Sequence, residues 1–155
     1  MSKKRPKKIF QQKTPFSRKQ LTIASQKREA IESTLENFPV WQFSILDFIH
    51  KKWGWKNFKG QSLCRAVLKK LTSYESMTWQ EIFNNKRRNH SVPIASLTPE
   101  AQKCIRELKL DDVDELYRLR LSGKERIWGI LEGYVFKIIW WEPEHTVCPS
   151  FKKHT

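Results

Sequence analysis

The chain has 155 residues, room for one ordinary domain plus a tail, and none of its apolar runs approaches the length of a membrane-spanning helix. Thirty Lys and Arg against sixteen Asp and Glu give a net charge of +14, which points to a polyanionic partner, RNA first among them. Three cysteines (Cys64, Cys104, Cys148), an odd number with no close pair, exclude a Cys-x-x-Cys zinc or redox site, argue against a disulfide framework and suit a reducing cytoplasm.

The charge is uneven. Residues 1–30 hold ten basic residues and one acidic, a net of +9 that leaves +5 for the rest. Residues 1–17 (MSKKRPKKIFQQKTPFS) have too little apolar content to bury and are expected to be disordered when free. Their basic start lacks the apolar segment of a secretory signal, so export is not expected. From Arg18 to Asn37, Ala24, Ile31 and Leu35 stand at helical spacing in a polar setting, a marginal helix. Residues 1–37 therefore form a basic tail, and residues 38–155 the domain.

Residues 38–47 (FPVWQFSILD) are rich in β-branched and aromatic side chains and read as the first strand. A loop follows in which Trp53 and Trp55 stand among lysines. Ser62 can cap a helix with Leu63, Val67, Leu68 and Leu71 on one face. Thr78 and Glu81 make a capping box opening a short helix with Trp79, Ile82 and Phe83. After the basic loop of residues 84–90 (NNKRRNH), Thr98-Pro99 starts a helix whose Ala101, Cys104, Ile105 and Leu108 recur at i, i+3, i+4, i+7, a buried stripe.

The last third is the best defined. Residues 117–121 (YRLRL) alternate apolar and basic, the period of a half-buried strand. Ser122-Gly123 supplies a turn, residues 126–131 (RIWGIL) a strand, Glu132-Gly133 a second turn and residues 134–141 (YVFKIIWW) a third strand. The fold expected is α+β: an antiparallel C-terminal three-stranded meander plus an N-terminal strand, with two or three helices packed on one face.

The stretches LYRLRLSGKERIWGI and EGYVFKIIWWEPEHTVCPS resemble the C-terminal pattern of the RelE/ParE superfamily of toxin–antitoxin toxins. That pattern is a Leu-Tyr-x-Leu-Arg strand, a turn, an Arg-Ile strand, a turn and an apolar strand ending in a polar segment. The resemblance is carried by residues 117–150; from 38 to 114 it rests on element order. It implies a RelE-like fold and an endoribonuclease of the mRNA interferase type, acting on RNA or the ribosome and paired with a small acidic antitoxin. It also implies, through the ParE branch, a toxin that targets a protein instead. Where the family's ribonucleases end in paired basic residues and a Tyr, this chain has Glu142-Pro143-Glu144-His145.

Metal-free RNA cleavage by 2′-hydroxyl attack needs a base, cations for the charge developing on phosphate, and an acid for the leaving oxygen. Arg118 and Arg120 share a strand face, and Lys124 and Arg126 lie across the hairpin from them. The resemblance singles out Arg126, expected at the start of the central meander strand with its guanidinium on the open face. His145 should stand within its reach, with Glu142 and Glu144 raising the histidine's pKa and keeping it protonated. Catalytic candidates are Arg126, His145, Glu144 and Lys124, at exposed positions whose loss costs little stability. RNA-binding candidates are Arg118, Arg120, Lys86, Arg87, Arg88 and His90, with Trp53 and Trp55 as base-stacking loop aromatics. The same residues also suit a solvated sheet face, a polar loop and buried anchors, or a non-catalytic basic module that grips nucleic acid. Metal-ligand spacing, a phosphate loop, a dinucleotide fingerprint and a serine hydrolase elbow are all missing from the sequence, so no metal or cofactor is expected.

Overall fold

The computed structural model describes residues 18–60 and 63–149, with side chains from 25 to 60 and from 65 to 149. The expectations for residues 1–17, for the Ala24 side chain and for capping by Ser62 lie outside these residues. The elements are α1 (Arg18–Leu35), β1 (Val40–Gln42), a π-helical stretch (Leu63–Leu68) running into α2 (Lys69–Glu75), α3 (Trp79–Asn84), β2 (His90–Pro93), α4 (Pro99–Glu107), β3 (Glu115–Arg120), β4 (Arg126–Glu132) and β5 (Val135–Glu142). No helix among the described residues is long and apolar enough to cross a membrane.

Local signals set the helix starts. Thr78 and Glu81 close the capping box at α3: Thr78 Oγ1 accepts from Glu81 N at 3.3 Å, and Glu81 Oε2 accepts from Thr78 N at 2.7 Å. At α4, Thr98 Oγ1 accepts from Ala101 N and Pro99 occupies the first turn, where its missing N–H costs nothing. The stripe of Ala101, Cys104 and Ile105 is buried.

The strands form one five-stranded sheet in the order β1-β5-β4-β3-β2, so the fold is α+β with the meander at its centre. The meander is antiparallel, β2 adds to it antiparallel, and β1 pairs parallel with β5. Both faces carry a core. Leu116, Trp128, Ile130 and Trp140 meet α4, Trp53 and Val147 on one face. Leu119, Leu121, Ile127, Phe136 and Ile138 meet Val67, Leu71 and Tyr74 of the second helical segment and Trp79 and Ile82 of α3 on the other, with Leu35 of α1 beside them. Two helices and the end of a third therefore share one face as expected, and α4 covers the opposite one.

The first strand is shorter than residues 38–47. A bulge in β5 explains why. Trp128 pairs with Trp140 but Gly129 pairs with Ile138, which leaves Ile139 over. Its carbonyl accepts from Asp47 N at 3.0 Å and from Trp55 Nε1 at 3.0 Å, while Trp141 N donates to Trp53 O at 3.1 Å. The chain after β1 thus binds the β5 edge by irregular contacts in place of a ladder. This segment carries Trp53 into one core and Trp55 into the other, with only 0% and 9% exposure. The two tryptophans are buried anchors, which corrects their reading as free stacking surfaces; the flanking Lys51, Lys52 and Lys56 alone face solvent.

Candidate functional site

Alternation along the strands gathers the polar residues at one end of the sheet. The register sets His90 opposite Arg118, Arg118 opposite Trp128, Arg120 opposite Arg126 and Arg126 opposite Glu142. Directly opposed residues share a face, so these side chains lie on the α4 side with Trp128 and Trp140, while Leu119, Leu121 and Ile127 point the other way.

Glu142 organises the site. It is fully buried, and its Oε2 accepts from Trp128 Nε1 and its Oε1 from Val147 N, both at 2.6 Å. The second bond folds the chain after β5 back over the sheet. Val147 then enters the core and its carbonyl accepts from Thr98 N at 3.1 Å, while Thr146 Oγ1 accepts from Trp53 Nε1 at 2.7 Å. Within this return His145 takes a left-handed backbone (φ 65°), held there by anchors on both sides.

The return brings His145 within electrostatic reach of Glu142, Arg126, Arg118 and Lys124. Arg126 and His145 therefore share one site. Its burial differs from expectation. Arg126 is 7% exposed, and its Nη1 donates to the carbonyls of Gly123 at 2.9 Å and Glu125 at 2.8 Å. Its guanidinium lies under the turn, not on an open face. The cause is the β3–β4 turn itself, whose carbonyls offer acceptors that Arg126 can reach.

Among the described residues, four buried side-chain polar atoms have no hydrogen-bond partner: Trp41 Nε1, Arg118 Nε, Arg126 Nε and His145 Nδ1. Three of the four belong to this site. Unmet buried polar atoms cost about 1–3 kcal/mol each, so an acceptor delivered to the two arginine Nε donors recovers part of that cost.

His90 and His145 are neutral near pH 7. Burial lowers the pKa of His145, and Arg126, Arg118 and Lys124 add to that against Glu142. This reverses the expected rise: one buried carboxylate is outweighed by desolvation and three cations. Burial and the same two arginines lower His90. Its Nδ1 stands 2.7 Å from Lys86 O, and since a carbonyl only accepts, Nδ1 carries the proton. Burial keeps Cys148 a thiol, raising its pKa.

The other candidates are distributed as follows. Lys124 Nζ and Glu144 Oε2 pair at 3.4 Å on the exposed rim. Arg120 stands at the end of β3, its backbone N donating to Asn89 Oδ1 at 2.8 Å. Lys86, Arg87 and Arg88 are exposed in the loop before β2, where Lys86 contributes its carbonyl to His90 and Arg88 is felt by Tyr74. Tyr74 and Asn89 were not singled out by the sequence. Tyr74 OH donates to Arg120 O at 2.7 Å, and buried Asn89 ties the loop to both β3 and Ile82 O. A lone Asn in a polar loop gives no sign of such a role. Among the described residues no group of three or more His, Cys, Asp or Glu is placed to hold a metal ion. Comparison of the chain with protein-family models, with curated proteins and with solved structures finds no match.

Proposed function

We propose that this protein binds RNA at the Arg118–Arg126–His145 site and cleaves it without a metal, by attack of a 2′-hydroxyl. One observation carries the reading: two unpartnered buried guanidinium nitrogens, Arg118 Nε and Arg126 Nε, stand beside a neutral histidine whose own Nδ1 is unpartnered. A phosphodiester supplies the missing acceptor oxygens, and guanidinium is suited to hold them bidentately. His145 takes the 2′-hydroxyl proton and the freed oxygen attacks the adjacent phosphorus. Arg118 and Arg126 stabilise the charge on its equatorial oxygens. The bond to the 5′-oxygen breaks as that oxygen takes a proton from the Lys124 ammonium, leaving a 2′,3′-cyclic phosphate and a 5′-hydroxyl. Glu144 holds Lys124 at the rim.

The resemblance to RelE/ParE toxins supports the same chemistry and adds the ribosome as its setting and a small acidic antitoxin as its partner. A neighbouring reading frame encoding an acidic protein is the observation that tests this part. The test of the chemistry is an RNA oligonucleotide incubated with the protein in EDTA, beside the same oligonucleotide carrying a single 2′-deoxy residue. Cyclic-phosphate ends are expected from the first and protection at the substituted step in the second. Arg118→Ala and His145→Ala should each lower the rate about 10²–10³-fold. Cleavage that needs a divalent ion, or that ignores the 2′-deoxy substitution, overturns the mechanism.

A second reading follows from the tether of Arg126 to its own turn: part of the cluster is internal, which favours a binding module without catalysis. Such a module binds with a steep salt dependence and leaves the RNA intact. A ParE-like, protein-targeting toxin would ignore RNA altogether.

A further inference from the structure

We infer that single-stranded RNA continues from this site around the Ser122-Gly123 turn into a second basic groove that opens beyond it. The inference rests on the reading above and extends it to the flanking nucleotides.

Two adjoining concavities of about 500 and 380 Å³ share Lys70, Leu121 and Ser122 in their walls. The first is lined by Arg65, Lys69 and Lys70, the second by Arg88 and Arg120. Their one carboxylate, Glu81, is committed to the N-terminus of α3 through Thr78. None of the five cations forms an ion pair among the described residues, although four lysines elsewhere on the domain do, with Glu100, Glu107, Glu144 and Glu132. A surface that only needs solubility mixes its signs. This one concentrates positive charge in a hollow, with the hydroxyls of Ser73 and Ser122 beside it.

The groove and the site are neighbours. Tyr74 lines the groove, with Lys70 Nζ 4.8 Å above its ring, and its phenol is felt by Arg126, Arg88 and Arg120. Between them lies the crest of the turn. Gly123 has φ +46° there, and a Cβ on it would meet nothing within 4 Å, so the crest is bare. A single strand can bend around such a crest, whereas a duplex does not bend on that scale. Phosphates on either side of the reacting step then meet Arg120 and Arg88 first, and Lys70, Lys69 and Arg65 beyond.

The experiment compares a labelled twelve-nucleotide single-stranded RNA with a trinucleotide on the full chain, by anisotropy across a salt series. The variant is Arg65→Gln/Lys69→Gln/Lys70→Gln, whose positions are exposed or half-buried. Each phosphate neutralised on a single strand contributes about 0.7 to the salt slope, so the variant should lose about 2 from the slope for the long RNA. That is about 16-fold less change in affinity between 50 and 200 mM salt. The trinucleotide, too short to reach the groove, should lose at most about twofold in affinity, and Arg118→Ala should weaken both ligands. An unchanged slope for the long RNA overturns the groove while leaving the site standing. Insensitivity of both ligands to Arg118→Ala overturns the site itself. A poly-glutamate that competes as well as RNA of equal charge overturns the assignment to nucleic acid.

Discussion

Replacing Glu142 tests whether one buried carboxylate holds the site together. Its two 2.6 Å bonds, to Trp128 Nε1 and Val147 N, are both charge-assisted and both removed from water. Such bonds contribute about 1.5–3 kcal/mol each, so Glu142→Ala should cost about 3–6 kcal/mol. Domains of this size have only about 5–15 kcal/mol in hand, so the variant stands close to unfolding. Glu142→Gln keeps the shape and one acceptor oxygen but must turn an NH₂ group toward the other donor. It should cost about half as much and remain measurable. Urea unfolding reads both as a shift of the midpoint at unchanged slope. A Glu142→Ala variant within about 0.5 kcal/mol of the parent, which is the range of an ordinary surface change, would refute the assignment of Glu142 as the organiser. So would a Gln variant no better than Ala.

The pH dependence of stability follows from the two histidines, both held below the ordinary 6.5 in the folded state. The unfolded chain takes up their protons first, so this part of the stability is fully present above about pH 6.5 and is lost as pH falls through the depressed folded values. His145→Ala should flatten the loss in chemical melts as pH falls below about 6.5, and an unaltered slope would count against the buried neutral form. Arg126→Ala should lose cleavage and also cost about 1.5–3 kcal/mol, because it removes two bonds to turn carbonyls; Arg126→Lys keeps the charge but not the fork and should recover less than half. A parent-like melting temperature for the alanine variant would return Arg126 to the surface. Gly129→Ala would set a Cβ 2.3 Å from Lys137 O and 2.6 Å from Phe136 Cε1, which backbone must yield to; it should cost about 1–3 kcal/mol in the same unfolding assay, and a neutral result would mean that β5 can shift.

The meander was legible because two glycine turns and the alternation in residues 117–121 act locally. All three strands fall within two residues of where turn chemistry sets them. β2 was not legible: four residues in a polar loop carry no period, and they become a strand only because β3 offers a free edge. The lysines around Trp53 and Trp55 suggested an exposed loop, but a segment wrapping a sheet edge can put every lysine outward and each indole into a core. At the site, strand parity correctly placed Arg118, Arg120 and Arg126 on one face. The sign of the His145 shift depends on the return of residues 143–148, the burial of Arg126 on carbonyls of the β3–β4 turn, and the part played by Asn89 and Tyr74 on long-range bonds to β3. That return is held by the bond from Val147 N to Glu142, by bonds from Thr98 N and Trp53 Nε1 and by burial of Val147, none of which any spacing announces.

The parallel pairing of β1 with β5 also bears on how the chain folds as it is made. Val40 meets Val135, so the edge of the sheet waits for a strand that emerges last. The hairpins of the meander close over a few residues, whereas this pairing must close over most of the chain, at about 2–3 kcal/mol more in loop entropy. Long-range parallel pairing of this kind is slow. Until it forms, Val40, Trp41 and Gln42 have no ladder to join, and Trp41, half-buried in the folded protein, stays uncovered on the nascent chain. The interval between synthesis of β1 and release of β5 is therefore when this protein is most exposed to aggregation, and when a chaperone has most to do.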